Sequence, residues 1–313
     1  MKGSIRAFAP ATVSNIACGF DVLGFAVDGP GDEVVAERRE EPGLEIVEIT
    51  GDEGRLPLEA DRNTAGVAVR ELLDRCGRRD GIRLRVHKRM PLSSGLGSSA
   101  ASGVAAAKAV DELLCLGVDR QTLLACALEG ERMACGSAHP DNATPCVYGG
   151  FVLIRPGDPL DVVELPIPET LTCALVRPHV EVQTRAAREA LGDHVPLAAA
   201  VQQWGNLGAL VAGLFLGDLG LVSRSLSDSI AEPKRAHLVP GFPEAQAAAL
   251  NAGALGCSLS GSGPSIFALC DGKADAERVA DRMAEAVREL GLGVDRWISE
   301  VGVAGARILD AAP

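Results

Sequence analysis

Pro91-Leu92-Ser93-Ser94-Gly95-Leu96-Gly97-Ser98-Ser99-Ala100-Ala101 opens a stretch of small and apolar residues, Ser98 to Cys115, whose spacing is helical. Glycines let backbone N–H groups surround an anion, and a helix N-terminus adds unpaired donors and partial positive charge. A polyphosphate fits that geometry, so residues 91–101 read as a phosphate loop. Taken alone, the segment also fits a flexible Gly/Ser connector ahead of a buried helix. No G-K-[ST] follows the glycines, which excludes a Walker A loop. Gly95, Gly97 and Ala100 match G-x-G-x-x-[GA], with Asp119 about twenty residues on, as a dinucleotide fold asks. The context fails, because the loop is too long between strand and first glycine and Asp119 opens a helix instead of ending a strand.

Outward from the loop, strands are expected at Ser4 to Ala9, ended by Pro10, and at Val34 to Arg38, Leu44 to Ile49 and Ile82 to Lys88. Helices are expected at Asn63 to Cys76, Ser98 to Cys115 and Arg120 to Cys135, the last capped by Asp119. Lys108, Asp111 and Glu112 read as a solvent-facing polar stripe on the loop's helix. Phe151 to Ile154 reads as a strand after Gly149-Gly150, and the proline-rich stretch from Pro156 to Pro168 as a linker. Beyond it come a strand at Thr172 to Arg177, helices near Arg185 to Leu191 and Pro243 to Asn251, and a β pair around Cys257 to Leu269. A helix at Ala274 to Leu290 and a strand near Trp297 to Val303 complete the chain. The class is α+β, in two domains, residues 1–164 and 165–313.

A second glycine-rich segment, Gly253 to Ser265, reads either as a tight hairpin or, paired with the first loop, as the other wall of one ligand site. On the Arg120 to Cys135 helix, Glu131 shares the face of Leu124, Ala127 and Leu128, whereas Glu129 falls with Thr122, Ala125 and Arg132. A carboxylate on an apolar face costs several kcal/mol, on the order set by polar burial, unless a cation or hydrogen bonds satisfy it. Glu131 is therefore the better magnesium ligand, with the Ser99 hydroxyl beside it, and a surface glutamate near a helix end is the plain alternative. Thr184 reads as an N-cap ahead of Arg185 and Arg188, where positive charge opposes the helix dipole unless an anion sits nearby. Lys234 and Arg235 make a second basic point. Asn15 and Asp21 offer acceptors for an ammonium group, though turn-forming roles explain such residues as well. His139, Asp141 and Asn142 follow the Glu131 helix, and a structural histidine is the commoner kind.

The 313 residues carry a formal charge of -12, which argues against nucleic acid or an acidic membrane as the main partner but leaves room for a small anion held by local donors. Nine cysteines lie without a C-x-x-C pair or metal spacing, as expected of reduced thiols in the cytoplasm. No signal core marks the first residues and no apolar run reaches a membrane-spanning length, so no membrane is expected.

Several segments together resemble the homoserine kinases of the GHMP kinase superfamily, and they do so from end to end. They are Ala9-Pro10-Ala11-Thr12-Val13-Ser14-Asn15 with Gly19-Phe20-Asp21-Val22-Leu23-Gly24, the Pro91 to Ala101 loop, Glu131 with His139-Pro140-Asp141-Asn142, Thr184 to Arg188, Glu232 to Arg235, and Leu259 to Pro264. The chain departs from the family in carrying Ala17-Cys18 where Gly-Pro is common, and in Pro140.

The resemblance implies an N-terminal α/β domain bearing the phosphate loop and a ferredoxin-like C-terminal domain, with ATP and L-homoserine between them. It implies that Asn15 and Asp21 hold the amino and hydroxyl end of the substrate, Arg188 and Arg235 its carboxylate, and that His139 and Thr184 line the pocket. Asn63 and Lys88 would lie by the nucleotide, and Ser99 and Glu131 by magnesium. The family places asparagine, here Asn142, where many relatives have an aspartate base. An amide takes no proton at neutral pH, so catalysis would rest on alignment and charge neutralisation, with Asp141 as the rival base. The alternative acceptors are a sugar, shikimate or an isoprenoid precursor, and a nucleotide-binding regulator without catalysis is the reading from another class. A homodimer is common in the family; the sequence leaves oligomeric state open.

Overall fold

Ile5, Ala7, Ala9, Ala11 and Val13 alternate with less apolar neighbours, and all five are fully buried, so the first strand forms with one face in the core. A computed structural model describes residues 3–136 and 138–312. Strands β1 (Ser4–Ser14), β2 (Leu23–Arg39), β3 (Gly43–Thr50), β4 (Gly81–His87), β5 (Phe151–Arg155) and β6 (Asp161–Leu165) join the last strand of the chain, β11 (Arg307–Ala312), in one sheet. Its order is β11-β1-β2-β4-β3, with β5 on the other half of β2 and β6 beyond β5. Its neighbours pair antiparallel except β3 with β4, which pair parallel, among the described residues.

Two expectations about this sheet are corrected. Pro10 does not end β1, because the register against β2 shifts between Pro10 and Thr12, and that irregularity accommodates a residue with no N–H to donate. The stretch from Pro156 to Pro168 is no open linker, since β6 lies inside it and pairs antiparallel with β5. A division at 164/165 falls inside β6, and β11 returns from the far end of the chain to the first sheet.

Helices α1 (Thr64–Arg75), α2 (Ser98–Leu114), α3 (Arg120–Cys135) and α4 (Pro140–Tyr148) share the core of the first sheet. The expected polar stripe on α2 is not fully exposed: Asp111 is buried, pairs with Lys108 at 3.1 Å and accepts from Val118 N.

Strands β7 (Leu171–Pro178), β8 (Gly256–Leu259), β9 (Ile266–Asp271) and β10 (Val294–Glu300) form the second sheet, in the antiparallel order β10-β7-β9-β8. Numbered within that sheet the order is 4-1-3-2, the ferredoxin-like arrangement. Between β7 and β8 run α5 (Thr184–Glu189), α6 (Leu197–Leu216), α7 (Leu219–Ser225), α8 (Glu232–Arg235) and α9 (Phe242–Asn251), and α10 (Lys273–Glu289) joins β9 to β10. A separate core packs α9 and α10 on this sheet through Phe242, Ala245, Val279, Met283 and Val287. Phe25 ties the two sheets together, its ring 5.4 Å from Phe151 and 6.3 Å from Phe267. Among the described residues, no helix is long and apolar enough to cross a membrane.

Candidate active site

Gly97 caps α2 at φ 72°, and Gly95 turns at φ 74°. A Cβ at Gly95 would come within 2.5 Å of Ser260 O, and one at Gly97 would overlap Thr12 Oγ1, so both positions require glycine for space as well as conformation. The loop is fastened on two sides. Thr12 N donates to Leu96 O at 3.0 Å, while Ser260 Oγ donates to Gly95 O at 2.7 Å and Ser265 N to Ser94 O at 3.2 Å. The β8–β9 turn is thus both a hairpin and the second wall. With these carbonyls engaged, the donors at the start of α2 are left facing the cleft. Leu96, Ala100 and Ala101 are buried core residues, and with Pro91 they line neither of the two clefts that meet here.

The first cleft gathers residues from seven segments. Asn15 and Asp21 come from the β1–β2 loop, Glu131 from α3, His139, Asp141 and Asn142 from the start of α4, Thr184 and Arg188 from α5, Arg235 from α8, Gly261 and Ser262 from the β8–β9 turn, and Ser93 to Gly95 with Gly97 to Ser99 from the loop ahead of α2. Asn142 Oδ1 accepts from Thr12 Oγ1 at 3.0 Å beside Gly97, which aims the other end of its amide elsewhere. Arg188 donates to Asp21 at 2.7 Å. Arg235 donates to Ala187 O at 3.0 Å and Gly261 O at 3.3 Å, and burial followed by the like charge of Arg188 holds its guanidinium below the usual range. Thr184 is the first residue of α5, not its cap, which is Gln183. Arg185 points away, paired with Glu189.

Glu131 is 4% exposed, as its place on the apolar face of α3 requires, whereas Glu129 pairs with Arg132. Among the described residues Glu131 Oε1 has no hydrogen-bond partner, and its Oε2 lies 3.8 Å from His139 Nδ1. Asp141 is fully buried. Burial first, and then the charge of Asp21, push its carboxyl up to about 6, against smaller opposing effects of His139 and of Ser14, whose hydroxyl falls short of hydrogen-bond geometry. A buried carboxylate oxygen with no donor calls for a cation. Sequence reasoning treats Asp141 only as a rival base; Pro140, a first-turn proline, is the signal that α4 begins there and turns both Asp141 and Asn142 inward.

The loop holding Asp21 is strained. Asn15, Ile16, Ala17 and Asp21 all have positive φ, and Ala17 at φ 54° occupies the position where glycine would sit at no steric penalty. Asn15 holds the loop closed, its Oδ1 accepting from Asp21 N at 3.1 Å and its Nδ2 donating to Gly261 O at 2.9 Å.

A second cleft adjoins the first and is lined by Asn63, Lys88 and Leu92, among others. Ser93, Ser98 and Ser99 line both clefts. Asn63 is the N-cap of α1, accepting from Ala65 N at 3.0 Å. Two chambers therefore share one helix N-terminus.

That arrangement has counterparts. The family model for the GHMP kinases N-terminal domain matches residues 63–150, and the model for the GHMP kinases C-terminal domain matches residues 207–289. The chain belongs to the GHMP kinases. A homoserine kinase of Chlorobium phaeobacteroides (strain DSM 266 / SMG 266 / 2430) is 49% identical over 98% of this chain and 99% of its own. The crystal structure of homoserine kinase from Cytophaga hutchinsonii ATCC 33406 superposes with a TM-score of 0.96 at 51% identity, covering 99% of this chain and 98% of that one. Mevalonate kinase of L. major, at 17% identity and a TM-score of 0.71 over 95% of this chain and 96% of that one, shares the fold alone. As a GHMP kinase, the chain uses ATP to phosphorylate an alcohol.

Proposed function

We propose that the protein transfers the γ-phosphoryl group of ATP to the hydroxyl of L-homoserine, giving O-phospho-L-homoserine on the route to threonine. The observation that carries this is the charge pattern of the first cleft, where two guanidiniums, Arg188 and Arg235, converge with two carboxylates, Asp21 and Asp141, next to the phosphate loop. An amino acid carries the complementary pair. A sugar has no use for two arginines, and shikimate or mevalonate has no ammonium for two aspartates.

The nucleotide would occupy the second cleft, beside Asn63 and Lys88, with its terminal phosphates over Ser93 to Ser99 where the chambers meet. Magnesium fits the residues present, because Glu131 Oε1 is a buried carboxylate oxygen without a donor among the described residues and Ser99 lines the same cleft. Ser99 and Glu131 would hold it, and when bound it neutralises charge on the transferring phosphoryl group. Asp21 and Asp141 would take the substrate ammonium, Arg188 and Arg235 its carboxylate. Arg188 would exchange Asp21 for the substrate, so their ion pair gives way to the two ends of one ligand.

With Oδ1 engaged by Thr12, Asn142 can only donate into the cleft, orienting the acceptor oxygen or a phosphate oxygen. The hydroxyl proton then passes to the phosphoryl group itself, which a loose transition state allows. Thr184 and His139 complete the wall. The free thiols, buried except at Cys76 and Cys115 among those described, support a cytoplasmic setting. A coupled ADP-release assay across homoserine, serine, shikimate and mevalonate tests the reading; release driven best by shikimate or mevalonate would refute it.

A further inference from the structure

Phe20 touches both guanidiniums of the acceptor cleft. Its ring centroid lies 5.3 Å from Cζ of Arg188 and 4.8 Å from Cζ of Arg235. Two like charges drawn to one ring repel each other, and Arg235 is only 6% exposed, so the arrangement needs a compensating partner. Among the described residues no carboxylate stands within salt-bridge distance of Arg235. A carboxylate there would neutralise the guanidinium and compete with a ligand. A ring face attracts the cation through its quadrupole while leaving the N–H edge open.

The ring is itself held in place. Phe20 precedes Asp21, whose N–H is fixed by Asn15, and Asn15 donates to the same Gly261 carbonyl that accepts from Arg235. Loop, ring and both arginines form one connected unit.

We propose that Phe20 is a positioning residue for acceptor specificity. Its ring presents Arg188 and Arg235 together toward the substrate carboxylate, and so sets the preference for an amino acid over the amino alcohol that lacks this group. The proposal rests on the acceptor reading above.

The test is kcat/KM for L-homoserine and for 3-aminopropan-1-ol, the same chain without its carboxylate, in the wild type and in Phe20→Leu, Phe20→Met and Phe20→Tyr. The two aliphatic variants should lose about tenfold with homoserine, through KM, from the loss of two cation–π contacts. They should lose far less with the amino alcohol, and their KM for ATP should stay within about twofold on the same grounds. Phe20→Tyr keeps the ring and should retain most of the preference. Equal losses with both acceptors, or a tyrosine variant as impaired as the leucine one, would overturn the proposal. A wild type without preference for homoserine overturns the acceptor reading and this inference together, whereas a selective wild type matched by Phe20→Leu overturns the inference alone.

Discussion

Lys88 donates its ammonium to Asp32 beneath the phosphate loop. The same Nζ reaches Ser98 O at 2.8 Å and Ser102 Oγ at 2.7 Å, and Asp32 accepts in addition from Ser98 Oγ, Ser102 Oγ, Arg89 N and Met90 N. Both side chains are nearly inaccessible, at 2% and 0% exposure. Lys88 lines the second cleft, but its charge is balanced from below, so its strongest claim is to hold the first turn of α2 against β2 and β4. A phosphate above the loop then meets backbone donors already fixed in direction.

Removing the cation alone leaves Asp32 buried and unpaired. Lys88→Met should destabilise the protein by about 3–5 kcal/mol in urea unfolding, whereas the double variant Asp32→Asn, Lys88→Met should lose much less than the sum of the two single changes. Additive losses would mean that the two groups are not coupled.

Glu131 presents the opposite case, a buried carboxylate with one oxygen unserved among the described residues. Glu131→Gln removes a charge that the fold does not need and should leave the unfolding midpoint equal or higher, while kcat falls by about 10²-fold or more and the magnesium concentration for half-activity rises. A variant with normal kcat and normal magnesium dependence would remove Glu131 from the metal site.

Some of this was legible in the residues and some was not. The spacing of Leu124, Ala127, Leu128 and Glu131 gave the bounds of α3 and the burial of its glutamate, because one periodic face decides both. The turn ahead of α2 declared itself through Gly95 and Gly97. Helix α6 did not, since its outward side carries Leu197, Val201, Trp204, Phe215 and Leu216, all exposed, and no polar face sets off an inner one. Strand β11 escaped because its partner, β1, lies some three hundred residues away and local pattern says nothing of distant pairing. The pairings of Lys88 with Asp32 and of Asn15 with Gly261 were invisible for the same reason, since both are long-range contacts.

Arg188 is half-exposed and already paired with Asp21, so its loss should not unfold the chain. Arg188→Ala should raise the KM for homoserine by about 10- to 100-fold, the range of a charge-assisted hydrogen bond, with much smaller effects on the KM for ATP and on kcat. Unchanged homoserine kinetics would remove Arg188 from the substrate carboxylate.

Asp141 should give the enzyme its pH signature. Its carboxyl titrates near 6 in the folded chain against an ordinary value of 3.8, so between those values the native state keeps a proton that the unfolded state has released. Stability therefore falls as pH rises from about 4 to about 6, by up to about 3 kcal/mol, and the loss is complete above that. Asp141→Asn should be near neutral for stability at the acid end and stabilising at pH 8, as followed by urea unfolding at several pH values. On the proposed placement homoserine binding works against the proton, because an ammonium beside Asp21 and Asp141 favours the charged carboxylate. The KM for homoserine should accordingly rise as pH drops below about 6 in the wild type, while in Asp141→Asn it is high throughout and flatter with pH, and kcat falls only partly. A collapse of kcat at normal KM would instead make Asp141 the base that accepts the hydroxyl proton, and a pH-independent stability difference would place its titration elsewhere.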